Sequence, residues 1–297
     1  WLWVTWCTSI MTVVSSSSSD PTSAPAKPIQ APAIGAPTTA ANDEPLIELR
    51  EVGIWYQLHR RKLSLKQALL RWRFHEKPRV HWALRGLSAE FHHGQTVGVV
   101  GHNGAGKSTL CSVLARILDP DEGTAIIRGH ATPLFGLGTG FNSKQSGRAN
   151  IYLYAAYLGI PRAEIKRKMA DIIAFSELGE FIDEPIFTYS TGMRGRLGFS
   201  VAAILEPKIL ILDEVLSAGD RAFRAKSRAR MMEMMAQSSL IVIVSHSSAF
   251  LRKICTHCLW LDHGRQKMFG EARKVLNAYD LALGGRDADA ADDPDEE

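Results

Sequence analysis

The stretch TVGVVGHNGAGKST, Thr96 to Thr109, decides the fold. Its opening TVGVV is a short, almost wholly apolar run, the kind buried on both faces of a parallel sheet. The nine residues from Gly101 to Thr109 match the spacing G-x-x-x-x-G-K-[ST], and the pattern predicts a helix from Lys107 to Leu118 behind them. Strand, glycine loop and helix in that order make a phosphate site. Gly101, Gly104 and Gly106 let the backbone curl so that N–H groups along His102, Asn103 and Ala105 face an anion, and the helix N-terminus adds its dipole. Lys107 brings a positive charge to the β/γ-phosphates, Ser108 a hydroxyl to Mg²⁺, and Thr109 a contact to the α/β-phosphates.

Working outward, ILILDE (Ile209 to Glu214) reads as a second buried strand whose two acids emerge at its C-terminal end. Open α/β sheets bind ligands there. Asp213 suits Mg²⁺, and Glu214 suits a general base that polarises an attacking water. LIVIVSH (Leu240 to His246) is a third buried strand, and a neutral imidazole at His246 can contact a γ-phosphate or hold the water. Tyr56 closes a first alternating strand, LIELREVGIWYQL. Trp55 and Tyr56 point opposite ways, so only one can stack on a base, and Tyr56 is favoured.

Strands alternating with helices predict an α/β fold with a mainly parallel sheet and antiparallel parts at its edges. Helical patterns fill Arg148 to Phe181. CLWLDHGRQKMFG reads as a hairpin around His263–Gly264, followed by a last helix, EARKVLNAYDLAL. We expect a disordered extension over 1–45, a folded domain over 46–283 with its helical part at about 148–200, and an acidic disordered tail over 284–297. WLWVTWCTSIMTVV at the start is apolar and uncharged, too short to span a bilayer and without the positive lead of a secretory signal. It reads as a misplaced start, with a weak membrane anchor as the alternative.

Composition sets outer limits. With 297 residues, 45% hydrophobic and 22% charged, the chain can bury a sizeable core. The net charge of +4 argues for no partner by itself. The pair Cys255 and Cys258 has zinc-like spacing without a matching second pair, and is read as reduced and metal-free. The segment His59 to Trp82 carries many cations and one acid, Glu76, with Leu65, Leu69 and Trp72 at helical spacing. It is either a solvated surface helix or a contact to anionic headgroups or a lipid pyrophosphate. No nucleic-acid recognition module is visible, so nucleic acid is not an expected partner.

Together GHNGAGKST, YSTGMRGRLGFSVA, ILILDEVLSAGD and IVSHS stand in the order and spacing of an ATP-binding cassette (ABC) ATPase, a phosphate-loop NTPase fold. The chain resembles that family from about Leu46 to Leu283. The resemblance implies that Tyr189 to Met193 is the signature motif, in which Ser190 and Gly192 cap the γ-phosphate held by a second copy. It also implies that Ser217 to Asp220 link the two sites, with Asp220 the acid. It further implies ATP and Mg²⁺, a membrane permease, a homodimer that sandwiches ATP, and a peripheral position on the cytoplasmic side of the inner membrane. YSTGM, DEVLSAGD and GLGTGFN depart from the common forms and look like ATPases of polysaccharide export, which handle lipid-linked glycans through the permease. No glutamine aligns at the Q-loop. Asn142 is the first candidate for that metal-coupled position and Gln145 the second. Another transporter's ATPase, importer or exporter of drugs or lipids, is the alternative, and a soluble ABC ATPase a more distant one.

Overall fold

The computed structural model describes residues 44–57, 80–205, 207–213 and 221–289. Residues 1–43 of the expected N-terminal extension, the basic segment over 58–79, Glu206, the stretch from Glu214 to Asp220 and the last eight residues lie outside them.

Two sheets carry the described chain. The smaller is antiparallel, in the order β2 (Val80–Phe91), β1 (Ile47–Gln57), β4 (Glu122–Ile127). The larger runs β5 (Ala131–Leu134), β6 (Ile209–Asp213), β7 (Leu240–Val244), β3 (Thr96–Val100), β8 (His257–Asp262), β9 (Arg265–Glu271). It is parallel from β5 through β8, and only β9 pairs antiparallel, with β8. Helices α1 (Lys107–Leu114), α2 (Gly147–Tyr157), α3 (Arg162–Ser176), α4 (Thr191–Ala203), α5 (Arg221–Gln237), α6 (Ser248–Ile254) and α7 (Ala272–Asp289) connect them.

The continuous apolar runs of β6 and β7 conceal an alternation. Ile209, Ile211, Leu240 and Val242 enter the core shared with the antiparallel sheet and α1. Leu210, Leu212, Ile241 and Ile243 enter the core beneath α2, α3 and α4. A strand with both faces covered needs no polar side, so its sequence shows no period of two.

Two boundaries differ from expectation, and two elements were not expected. Helix α1 ends at Leu114 rather than Leu118, because Arg116 turns left-handed (φ 57°) and its guanidinium donates to the Ile127 carbonyl. Strand β5 contains Pro133 and lies at the sheet edge, where a missing N–H is tolerated. Helix α6 starts from Ser247, whose Oγ accepts the Phe250 N–H at 3.2 Å. Helix α7 continues to Asp289, past the 284 boundary, since extending a formed helix is cheap compared with starting one.

Cys255 and Cys258 are free thiols. A Cβ on Gly98 would lie 2.7 Å from the Cys258 sulfur and 3.1 Å from that of Cys255, so glycine lets both pack against β3.

Candidate functional site

The strand order places the site. β6, β7 and β3 are neighbours, with Asp213 opposite Val244 and Val244 opposite Val99. Asp213, His246 and the loop after β3 therefore emerge side by side at the C-terminal ends of parallel strands. They line one cleft of about 520 Å³. Its walls include Tyr56, Asn103, Gly104, Gly106, Lys107, Ser108, Thr109, Asp213 and His246. Nine residues predicted from separate motifs thus meet in one place.

Glycine geometry shapes the loop. Gly106 has φ 101°, and a Cβ there would approach the Ala83 carbonyl oxygen to 2.4 Å. Gly104 has φ 81° with nothing within 4 Å of a Cβ position, so its backbone faces open space, as a phosphate cradle requires. Lys107 is buried, and its Nζ donates to the carbonyls of Gly101 (2.7 Å) and His102 (3.0 Å). Burial, then the nearby Asp213 carboxylate, push the Cys111 thiol of α1 well up, with Lys107 opposing. That thiol stays neutral beside the phosphate loop.

Tyr56 lines the cleft, and Trp55 does not, while its N–H donates to Asp121 Oδ2 at 2.9 Å. His81 pairs with Tyr56 across the β1–β2 ladder and joins it in the cleft wall, as do Ala83 and Val244. Sequence patterning missed His81, because only the register of two distant strands sets it beside Tyr56.

Other predicted residues lie elsewhere. Gly101 and Ala105, within the loop, are buried and not on the cleft wall. The His102 ring leans on His263, with ring centroids 4.4 Å apart. Asn142 is exposed and is not part of the cleft wall. Its Oδ1 accepts the Lys144 N–H at 3.0 Å. The turn around it is held by Asn150, fully buried, whose Oδ1 accepts the Asn142 N–H and whose amide donates to the Asn142, Gln145 and Ser146 carbonyls. Gln145 is exposed as well. Glu214 and Asp220 fall outside the described residues.

Ser190 caps α4, its Oγ accepting the Met193 N–H at 3.2 Å. Ser190, Gly192 and Met193 line a separate depression with Arg196, and no residue lines both it and the cleft. Tyr189, 4% exposed, donates its hydroxyl to the Phe181 carbonyl and fixes the turn from behind. Arg196, which the motif leaves unassigned, lies over the Phe223 ring (4.9 Å) and within 3.6 Å of Glu177, joining α4 to α5. Arg148 pairs with Asp183 through two bonds of 2.7 and 3.0 Å.

A family model described as ABC transporter matches residues 84–217. The O-antigen export system ATP-binding protein RfbB of Klebsiella pneumoniae is 42% identical over 207 residues, 70% of this chain and 84% of that protein. The chain belongs to the ABC transporter family. A second RfbB, from Myxococcus xanthus, is 42% identical over 232 residues, 77% of this chain and 53% of the relative. The teichoic acids export ATP-binding protein TagH of Enterococcus faecalis is 41% identical over 206 residues, 69% of this chain and 46% of the relative. This ABC chain thus spans about half the length of those last two relatives. A solved ATP-binding subunit of an ABC transporter shares its fold, with a TM-score of 0.55 at 20% identity over 80% of this chain and 94% of that one. The fold is the α/β ABC cassette, with a mainly parallel sheet, an antiparallel sheet and helices between β5 and β6.

Proposed function

We propose that this chain is the ATP-hydrolysing subunit of an ABC transporter that exports a lipid-linked polysaccharide or polyol-phosphate polymer. The observation that carries the hydrolytic part is the convergence of Tyr56, the phosphate loop, Asp213 and His246 on one cleft. The export part rests on the kinship with O-antigen and teichoic acid export proteins and on the YSTGM form of the signature turn.

Tyr56 stacks on the adenine, and the N–H groups from Gly101 to Thr109 cradle the phosphates. Lys107 stabilises charge on the β/γ-phosphates as the bond to the γ-phosphorus breaks. Ser108 and Asp213, both on the cleft wall, offer the oxygen donors that suit a hard divalent cation. Mg²⁺ bound there would neutralise part of the phosphate charge. Asn142, exposed and off the cleft wall, would join that coordination only by moving towards Ser108 and Asp213. Glu214 polarises the attacking water and His246 holds the γ-phosphate end.

Ser190 and Gly192 of a second copy close the site over the γ-phosphate with the N-terminus of α4, and Asp220 lies at the joint between the two sites. The separation of the Ser190 depression from the cleft supports this two-chain arrangement. We take 46–283 as the ATP-binding domain, flanked by extensions, with the helical part at about 148–200 meeting a membrane permease. The exposed Leu153, Phe181 and Phe187 of that part support such a contact. Among the described residues no helix is long and apolar enough to cross a membrane, and we place the chain peripherally on the cytoplasmic side.

Glu214→Gln tests the reading. It is expected to bind ATP, to accumulate as a dimer in size-exclusion chromatography and to release almost no phosphate. Hydrolysis at the wild-type rate refutes the assignment of Glu214.

A further inference from the structure

Outside the cleft, two histidines and an aspartate bring the phosphate loop and the β8–β9 turn together. His102 Nε2 lies 3.3 Å from Asp262 Oδ1, and His263 Nε2 lies 3.9 Å from the same oxygen. One donor atom from each of the three lies within 4.8 Å of the other two. We propose that His102, Asp262 and His263 form a binding site for a borderline divalent transition metal of the Zn²⁺ class.

The tautomer of His102 is the first support. Its Nδ1 is 2.6 Å from the Asn103 carbonyl oxygen, which can only accept, so Nδ1 carries the hydrogen and Nε2 presents a lone pair. Metal-binding imidazoles are oriented in this way, the far N–H donating to a carbonyl. In a neutral ring that lone pair faces a carboxylate oxygen at 3.3 Å, and the His263 N–H reaches it only at 3.4 Å. A cation between the two converts an unfavourable approach into two bonds.

Distances and backbone agree. Bonds of about 2.0–2.1 Å in a tetrahedral site set ligand atoms about 3.3–3.4 Å apart. The first pair already has that spacing. The second needs the His263 ring, 79% exposed, to close by about half an ångström. His263 sits in the left-handed region at φ 47°, uncommon for a residue with a Cβ, and the turn lays its ring against that of His102. The Gly264 N–H donates to the Ala105 carbonyl at 3.1 Å and ties the turn to the loop. Asp262 is 7% exposed, and a buried carboxylate is stable when paired with positive charge. Lys267 approaches its other oxygen, Oδ2, at 3.4 Å.

Two imidazoles and one carboxylate favour Zn²⁺, Ni²⁺ or Cu²⁺ over Mg²⁺, which prefers oxygen donors and water. The site is therefore chemically distinct from the Mg²⁺ position proposed at Ser108 and Asp213. It is also linked to the nucleotide. The His102 carbonyl accepts from Lys107, so a metal on the His102 ring acts on a residue that holds the phosphate-loop lysine. Metal and nucleotide then change each other's affinity by the same factor.

The test titrates the full chain, stripped with chelator, with Zn²⁺ alone by calorimetry and with Co²⁺ alone by its visible absorption. One Zn²⁺ per chain is expected. His263→Ala, at an exposed side chain, and Asp262→Asn are each expected to weaken Zn²⁺ about 10- to 100-fold and to remove the Co²⁺ band. The Cys255→Ser/Cys258→Ser double variant is expected to bind as the parent does. Absence of one-to-one binding, unchanged affinity in His263→Ala or Asp262→Asn, or loss of binding in the double serine variant overturns the proposal.

Discussion

The ammonium of Lys107 is buried and donates to the carbonyls of Gly101 and His102, so it organises the loop as well as charging it. Lys107→Ala removes a preorganised donor from the site of developing charge, and ATP hydrolysis is expected to fall about 10²- to 10³-fold, measured by phosphate release. Tyr189 offers a test by pH. Burial pushes its phenol up to about 12, with Asp183 and Glu184 adding to the effect. An unfolded tyrosine titrates near about 10. Between those values the folded chain keeps a proton that the unfolded chain has released, so this contribution is complete below about pH 10 and is lost as pH rises towards 12. Denaturant midpoints compared across that window should fall less steeply in Tyr189→Phe than in the parent. An equal slope removes Tyr189 from the account. Such single residues were unevenly legible. Lys107 stands in a motif that forces its role, whereas Arg196 shows its contacts with Phe223 and Glu177 only once α4 meets α5.

At the scale of elements, α4 carries the signature turn and lies directly on the glycine-rich loop after β5. A Cβ on Gly198 would come within 2.7 Å of the Gly138 nitrogen and 3.0 Å of the Leu137 carbonyl carbon. Backbone cannot yield as a flexible side chain can. Gly198→Val is therefore expected to destabilise by about 1–3 kcal/mol and to lower the melting temperature by about 2–12 °C, read by calorimetry. An unchanged melting temperature contradicts the close packing. The buried strands β3, β6 and β7 were readable as apolar runs with chemistry at their ends. Strand β5 was not, since four residues with a proline carry no period, and only pairing with β6 makes them a strand. The same loop explains why Asn142 could not be placed from sequence. Its position depends on the buried Asn150, eight residues on, which holds the turn through four bonds.

For the whole molecule, the arrangement to be tested is one site built from two chains. Lys107→Ala and Ser190→Arg are each expected to hydrolyse ATP poorly alone. Mixed, they form heterodimers in which the intact phosphate loop of one chain meets the intact signature turn of the other, as a two-fold interface requires. Hydrolysis should recover on mixing, measured by phosphate release against each variant alone. No recovery counts against the shared site. The sequence by itself determined the cassette: a phosphate loop between strand and helix, acids at a strand end, a signature turn and a histidine after the next strand. Those features are local, because each follows from the spacing of neighbouring residues and the backbone they permit. Only the tertiary structure decided that His81 stands beside Tyr56, that Asn142 is not part of the cleft wall, and that His102, Asp262 and His263 converge. These depend on strand register and on contacts between residues as many as 161 positions apart, which no local pattern encodes.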